Sequence, residues 1–282
     1  MPIVNFDDIV TAKLGGRIKT RNDNPNSFKH PCNCVIAGFP GSGKTNLIAN
    51  LLFNEDGAKM TWDKLYLIYP VLDNDDTYKF AKEQIASMVN ETNDELDKNP
   101  KNKNVERVKL SDVFVHISKA EEIPKLEDFD KNIQNLIICD DMVTNKAVND
   151  KIKNLAIQNR HINASILYVS QSYFHVNILV RRCMGSGYCC LWNVPSGTEL
   201  STYCRELSLG VDPEEFKKLY RFATSVRYRP LIIDFKTQDP KWRFRAGLDI
   251  PIGPQTDATM TPKADPNKIS KTIKKREKPE KV

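Results

Sequence analysis

Long hydrophobic runs are missing from this 282-residue chain: no apolar stretch is longer than Leu65-Tyr66-Leu67-Ile68-Tyr69. A membrane-spanning helix needs about 20 such residues, so no bilayer partner is expected. No basic amino terminus followed by an apolar segment marks a signal peptide, so the protein is expected to work in a cytoplasm. Histidine is scarce, with four scattered residues in no ligand spacing. The seven cysteines (Cys32, Cys34, Cys139, Cys183, Cys189, Cys190, Cys204) contain no C-x₂-C pair, and several lie inside apolar runs. That pattern argues against a zinc site or a disulfide framework and for buried, reduced thiols. Glycine is also sparse, 12 in all, yet three fall between positions 38 and 43.

Those three belong to Gly38-Phe39-Pro40-Gly41-Ser42-Gly43-Lys44-Thr45, a complete phosphate-binding loop. Cys34-Val35-Ile36-Ala37 leads into it as a strand, and Asn46-Leu47-Ile48-Ala49-Asn50-Leu51-Leu52 leaves it as a helix. Gly38, Gly41 and Gly43 let the backbone curl until successive N–H groups point inward, at the positive end of a helix dipole. Lys44 then reaches the β and γ phosphates, and the Thr45 hydroxyl is a natural ligand for Mg²⁺. Residues 38 and 40–45 are the expected binding residues for a nucleoside triphosphate.

A second stretch, Leu136-Ile137-Ile138-Cys139-Asp140-Asp141, sets four buried-strand residues before two carboxylates. The first past the strand end, Asp140, faces the Mg²⁺ shell beside Thr45; the next, Asp141, is placed to orient and deprotonate a water in line with the γ phosphate. A later strand ends at Ser170-Gln171, where Gln171 sits between metal and γ phosphate as a sensor of hydrolysis, or simply bonds loop backbone. Transition-state charge calls for a cation, often an arginine from a neighbouring subunit. Arg160, Arg181 and Arg182 are the donors to consider, and each also suits a surface ion pair.

Short apolar strands without alternation, separated by helices, predict a mainly parallel sheet covered by helices on both faces. Strands are expected at roughly 32–37, 64–69, 113–117, 136–139, 166–169, 187–192 and 231–235. Helices are expected at about 44–54, at about 76–90 with Tyr78, Ala81, Ile85 and Met88 on one face, and at about 145–160 with Val148, Ile152, Leu155 and Ala156. Asp212-Pro213-Glu214-Glu215 starts another helix, with Phe216, Leu219, Tyr220 and Ala223 as its buried stripe. Residues 1–27 read as a polar lead-in, 28–250 as the P-loop domain with an exposed insertion at about 91–107, and 251–282 as a disordered basic tail. Within 263–282, seven Lys and one Arg against Asp265, Glu277 and Glu280 give +5 of the chain's net +6. That tail suits a solubilising terminus or a nucleic-acid-binding arm.

Taken together, Gly38–Thr45, Ile137-Ile138-Cys139-Asp140-Asp141-Met142, Asn159-Arg160-His161-Ile162-Asn163 and Ser165–Phe174 resemble the genome-packaging ATPases of the FtsK–HerA superfamily. The likeness covers about residues 28–193 and is nearest to the poxvirus-type branch of large DNA viruses, virophages and Polinton-type elements. It implies a RecA-like P-loop NTPase fold and an ATPase that drives double-stranded DNA into a preformed capsid. It also implies a homo-oligomeric ring, pentameric or hexameric, a capsid or portal partner, and a place in the host cytoplasm, viral factory or virion. By resemblance Lys44 and Thr45 hold nucleotide and metal, Asp140 holds Mg²⁺, Asp141 activates water, and Gln171 senses the γ phosphate; the resemblance does not single out the trans arginine, and Arg160 is carried as the catalytic candidate among the three. Asp141 stands where relatives outside the branch often carry Glu.

Three other readings share the phosphate loop. A nucleoside or nucleotide kinase needs an arginine-rich lid, for which Arg181-Arg182 is the only dense pair in the core. A nonhydrolysing DNA-binding protein would bind DNA regardless of Lys44. A GTP-dependent switch is suggested by Asn145-Lys146, but position 148 is Val where Asp is required. Tyr188 and Trp192 read first as core residues and second as contacts to a duplex.

Overall fold

The computed structural model of the protein describes residues 27–54, 59–98, 105–183, 187–194 and 197–253. The lead-in before residue 27 and the basic tail from residue 254 lie outside the described residues, as does the tip of the expected insertion, 99–104.

Nine strands form one sheet in the order β3-β2-β4-β5-β1-β6-β7-β8-β9. They are β1 (Asn33–Ala37), β2 (Lys64–Ile68), β3 (Phe114–Ile117), β4 (Asn135–Cys139), β5 (Ala164–Ser170), β6 (Tyr188–Leu191), β7 (Leu231–Asp234), β8 (Phe244–Ala246) and β9 (Ile250–Pro251). From β3 to β6 every pairing is parallel. The mainly parallel sheet expected from the unalternating strands is present, but it ends in an antiparallel extension, since β6–β7, β7–β8 and β8–β9 run antiparallel.

The strands lack alternation because each feeds two cores at once. Val35 and Ala37 of β1, with Ile137 and Cys139 of β4 and Ile166 and Tyr168 of β5, enter one core; Cys34, Ile36, Leu136, Ile138, Leu167 and Val169 enter the other. The second core is closed by α1 (Lys44–Phe53) and α2 (Asp76–Lys98), through Leu47, Ile48, Leu51, Tyr78, Ala81 and Ile85. A one-turn helix, α3 (Leu110–Val113), precedes β3. The first core is closed by α4 (Lys146–Gln158), α5 (Ile178–Arg182), α6 (Gly197–Leu207) and α7 (Pro213–Ala223). Each fully buried aliphatic or aromatic side chain contributes about 1.5–3 kcal/mol to this layering. No helix among the described residues is long and apolar enough to cross a membrane.

Local signals account for most helix starts. Asp212 accepts from the N–H groups of Glu214 and Glu215, with Pro213 as first helical residue. Asn145 accepts from Val148 N at 3.1 Å and so caps α4, which is the structural use of the Asn145-Lys146 pair.

Helix α2 differs from expectation. It runs to Lys98 rather than stopping near 90, so the first part of the presumed insertion is helical. The returning chain holds it: Asn93 exchanges hydrogen bonds with the N–H and C=O of Val108, Arg107 pairs with Asp97, and buried Leu96 packs on Val105 and Val108. Its buried stripe continues through Val89, leaving Met88 43% exposed, because 3.6-residue periodicity favours the i+4 position there.

Candidate nucleotide site

The carboxyl ends of β4, β5 and β1 lie side by side, since Cys139 is level with Tyr168 and Ala37 with Ser170. Ligands of parallel α/β sheets bind at this edge, beyond the carboxyl ends of the strands. Gly38 leaves β1 with its N–H on Ser170 O at 3.1 Å, while Trp192 N donates to Ala37 O at 3.1 Å on the other side. A Cβ at Gly38 would stand 2.8 Å from Ser42 Oγ and 2.9 Å from Trp192 Cβ, so the loop is built against Trp192. Trp192 and Tyr188 are both buried, which makes them core residues and takes them out of reach of a duplex. Gly41 and Gly43 take φ of 72° and 103°, left-handed conformations that reverse the chain into α1.

Helix α1 begins without a side-chain cap and without an acid in its first turn. Its leading N–H groups therefore face the concavity with no competing acceptor, which suits an anion. Lys44 Nζ donates to Gly38 O at 2.6 Å and Phe39 O at 3.0 Å, bridging the loop. Burial lowers the Lys44 pKa, and the charges of Asp140 and Asp141 oppose that shift.

Asp140 continues β4 by one residue, its N–H on Ile68 O at 3.0 Å. Its Oδ2 accepts from the phenol of Tyr78 at 2.7 Å. Tyr78 is itself placed by Asp75, whose Oδ1 accepts from Thr77 N and Tyr78 N at the start of α2. Burial pushes the Asp140 carboxyl above the usual carboxylate range, and the Tyr78 bond and the Lys44 charge counter it. Burial, followed by the Asp140 charge, pushes the Tyr78 phenol well above its usual value. Tyr78 therefore stays a phenol, and its O–H is the hydrogen-bond donor to Asp140 Oδ2.

Asp141 has φ 55°, a left-handed conformation that a non-glycine residue adopts at a cost and that is common at functional sites. Asp141 is exposed. Asp140, Asp141, Thr144, Ser170, Gln171 and His175 line a common cleft of about 190 Å³. The structure thus gathers the phosphate loop, Asp140, Asp141 and Gln171 at one edge of the sheet.

A Mg·nucleotide fits this donor set. Mg²⁺ is held by one or two carboxylates together with substrate phosphates and water, not by a dedicated protein cage. Among the described residues no cluster of three or more His, Cys, Asp or Glu is arranged for a metal. Asp140 instead offers a single half-buried carboxylate beside the loop lysine, whose desolvation a divalent cation would offset.

The arginines are elsewhere. Arg160 lies between α4 and β5, with its C=O facing Asn163 N, at the amino edge of the sheet. The seven residues of β5 separate that edge from Gln171, about 20 Å at the rise of a strand. Arg160 is exposed and outside its own subunit's cleft. Arg181 Nη1 pairs with Glu206 Oε2 at 2.7 Å, and its guanidinium lies 4.9 Å from the Tyr173 ring centroid. So held, it is engaged within its own domain. Arg182 is exposed at the end of α5. Sequence reading missed Tyr78, which periodicity presents only as a core residue, and His175, which no motif marks.

The family profile of the poxvirus A32 protein matches residues 20–234. No curated protein sequence matches the chain. Among solved structures, the DNA-packaging ATPase B204 of Sulfolobus turreted icosahedral virus is 16% identical, with a TM-score of 0.46, covering 75% of this chain and 96% of that one. The genome-packaging NTPase B204 of Sulfolobus turreted icosahedral virus 2, in complex with ATP-γ-S, is 15% identical with a TM-score of 0.45, covering 77% and 96%. The cytoplasmic domain of the type VII secretion ATPase EccC of Thermomonospora curvata is 11% identical with a TM-score of 0.34, covering 65% and 21%. With 20–234 matched, across β1 to β7 and every element of the nucleotide edge, the chain belongs to the poxvirus A32 protein family.

Proposed function

We propose that this protein is an ATP-driven motor that translocates double-stranded DNA, packaging a viral genome into a capsid. The observation that carries the reading is the placement of Lys44, Asp140, Asp141 and Gln171 at the same carboxyl edge of the sheet, in a chain of the poxvirus A32 family. The likeness of the loop, the Asp140-Asp141 pair and the Arg160–Gln171 stretch to FtsK–HerA packaging ATPases supports the coupling to DNA.

The loop amides and Lys44 bind the triphosphate, and Thr45 with Asp140 would hold Mg²⁺, which would neutralise charge on the phosphate oxygens. Tyr78 holds the Asp140 carboxylate in one orientation. Exposed Asp141 accepts a proton from the attacking water, and Gln171 bonds the same region from β5. Arg160, remote from its own cleft, is proposed to serve the neighbouring subunit's cleft in a homo-oligomeric ring of five or six. Double-stranded DNA in the channel and a capsid or portal protein complete the assembly, in the host cytoplasm or viral factory. Residues 263–282, with their net +5, are proposed as a DNA arm.

The test is phosphate release by the purified full chain with and without double-stranded DNA. DNA-stimulated release, lost in Lys44→Ala, is expected. Phosphate transfer to a nucleoside with no effect of DNA would overturn the motor reading in favour of a kinase.

A further inference from the structure

The loop between α7 and β7 places an unusual residue against the phosphate loop. Leu231 of β7 is level with Leu191 of β6, and Leu191 with Ala37 of β1. Because β7 is antiparallel to β6, the residues just before Leu231 lie at the same edge as the phosphate loop. There Tyr228 meets Gly43: a Cβ on Gly43 would stand 3.3 Å from Tyr228 Cβ and 3.4 Å from its Cδ1.

Tyr228 has φ 66°, a conformation disfavoured for a bulky L residue, and keeps half of its surface exposed. Neighbouring bonds hold it there. Arg229 N donates to Val226 O at 3.2 Å, closing a turn with Tyr228 at its third position, where left-handed φ usually selects Gly or Asn. Arg229 Nε and Nη2 donate to Ala223 O and Phe222 O, each at 2.7 Å, anchoring the turn on the last carbonyls of α7. The Arg227 guanidinium lies 4.6 Å from the Tyr228 ring centroid and restrains the ring. A strained, exposed aromatic on an anchored turn, touching a ligand loop, is not explained by core packing.

Direction along the sheet indicates what it meets. Asp140, Asp141 and Gln171 stand on β4 and β5, on one side of β1, so the γ phosphate points that way. The nucleoside end then leaves on the opposite side of β1, toward β6 and β7, where Tyr228 stands. We propose that Tyr228, restrained by Arg227, is the stacking platform for the nucleobase. This inference rests on the nucleotide reading of the 38–45 loop.

The test compares equilibrium binding of Mg·ATP and of Mg·tripolyphosphate, which lacks base and ribose, to the full chain by calorimetry. Tyr228→Gly removes the ring while suiting the left-handed backbone, so the variant keeps its fold. Its ATP dissociation constant is expected to rise on the order of 10-fold, with tripolyphosphate binding unchanged, and Tyr228→Phe is expected to match the parent. Unchanged ATP affinity in Tyr228→Gly would overturn the assignment. Equal loss of ATP and tripolyphosphate affinity would also overturn it, making Tyr228 a support of the phosphate loop. If the parent chain binds neither ligand, the nucleotide reading itself falls.

Discussion

Removing one oxygen from Tyr78 isolates the contribution of the group that positions Asp140. The Tyr78 phenol donates to Asp140 Oδ2 at 2.7 Å, and Tyr78 is 1% exposed, so Tyr78→Phe leaves the ring packed and admits no ready replacement by water. A hydrogen bond to a charged group is worth about 1.5–3 kcal/mol, a factor of roughly 10–160 in an equilibrium constant. Losing a group that orients a metal ligand similarly weakens metal binding by about 10–100-fold. The concentration of Mg²⁺ that half-activates ATP hydrolysis is therefore expected to rise by about 10–100-fold in Tyr78→Phe, with the rate at saturating Mg²⁺ largely recovered.

Stability without Mg²⁺ carries a matching pH signature. The folded carboxyl of Asp140 lies above its unfolded value, so the folded chain binds this proton more tightly and loses stability as pH rises through that window. The Tyr78 bond opposes the shift; deleting it raises the folded value further. Tyr78→Phe should thus be less stable than the parent above the folded pKa of Asp140, and the gap should close in acid as Asp140 is protonated. An unchanged Mg²⁺ dependence, or a stability gap independent of pH, would refute the link between Tyr78 and Asp140.

Asp141→Asn is expected to bind ATP normally but to lose hydrolysis, whereas Asp141→Gly, which relieves the left-handed strain, should also gain about 1 kcal/mol of stability in urea unfolding. Normal hydrolysis by Asp141→Asn would remove it as the base. Gly38→Ala drives a methyl toward Ser42 Oγ and Trp192 Cβ, and is expected to cost about 1–3 kcal/mol and to weaken ATP binding, with tryptophan fluorescence as reporter. Arg181→Ala should cost about 1–3 kcal/mol of stability through the lost Glu206 pair, with turnover per folded molecule preserved. Arg160→Ala, at an exposed position, should shift stability by less than about 0.5 kcal/mol yet reduce turnover at least about 10³-fold with ATP still bound; normal turnover would exclude it as the trans cation.

What could be read directly from residue order was whatever depends on neighbours in the chain. The 38–45 loop is legible because its glycines, lysine and threonine act through one continuous stretch of backbone. Asp140 and Asp141 are legible because a carboxylate past a buried parallel strand has one edge to occupy. The helix start at Asp212 is legible because capping spans three residues. The unalternating strands announced two covered faces, and the sheet has them.

Tertiary structure decided everything that depends on side chains meeting across the fold. Tyr78 reads in sequence as one more apolar position on a helical stripe, and only packing brings its hydroxyl to a carboxylate 62 residues away. Trp192 and Tyr228 both meet glycines of the phosphate loop through strand order, which no local pattern encodes. Strand β8 is hidden because its central residue is the fully buried Arg245, whose partners include Asp234, the Leu248 carbonyl and the Phe28 ring. Arg160, close in sequence to Gln171, is carried to the opposite edge because a parallel strand must be entered from its far end. Periodicity specifies which residues are buried; the chain's path across the sheet decides what each of them touches, and so which ones can act on a nucleotide.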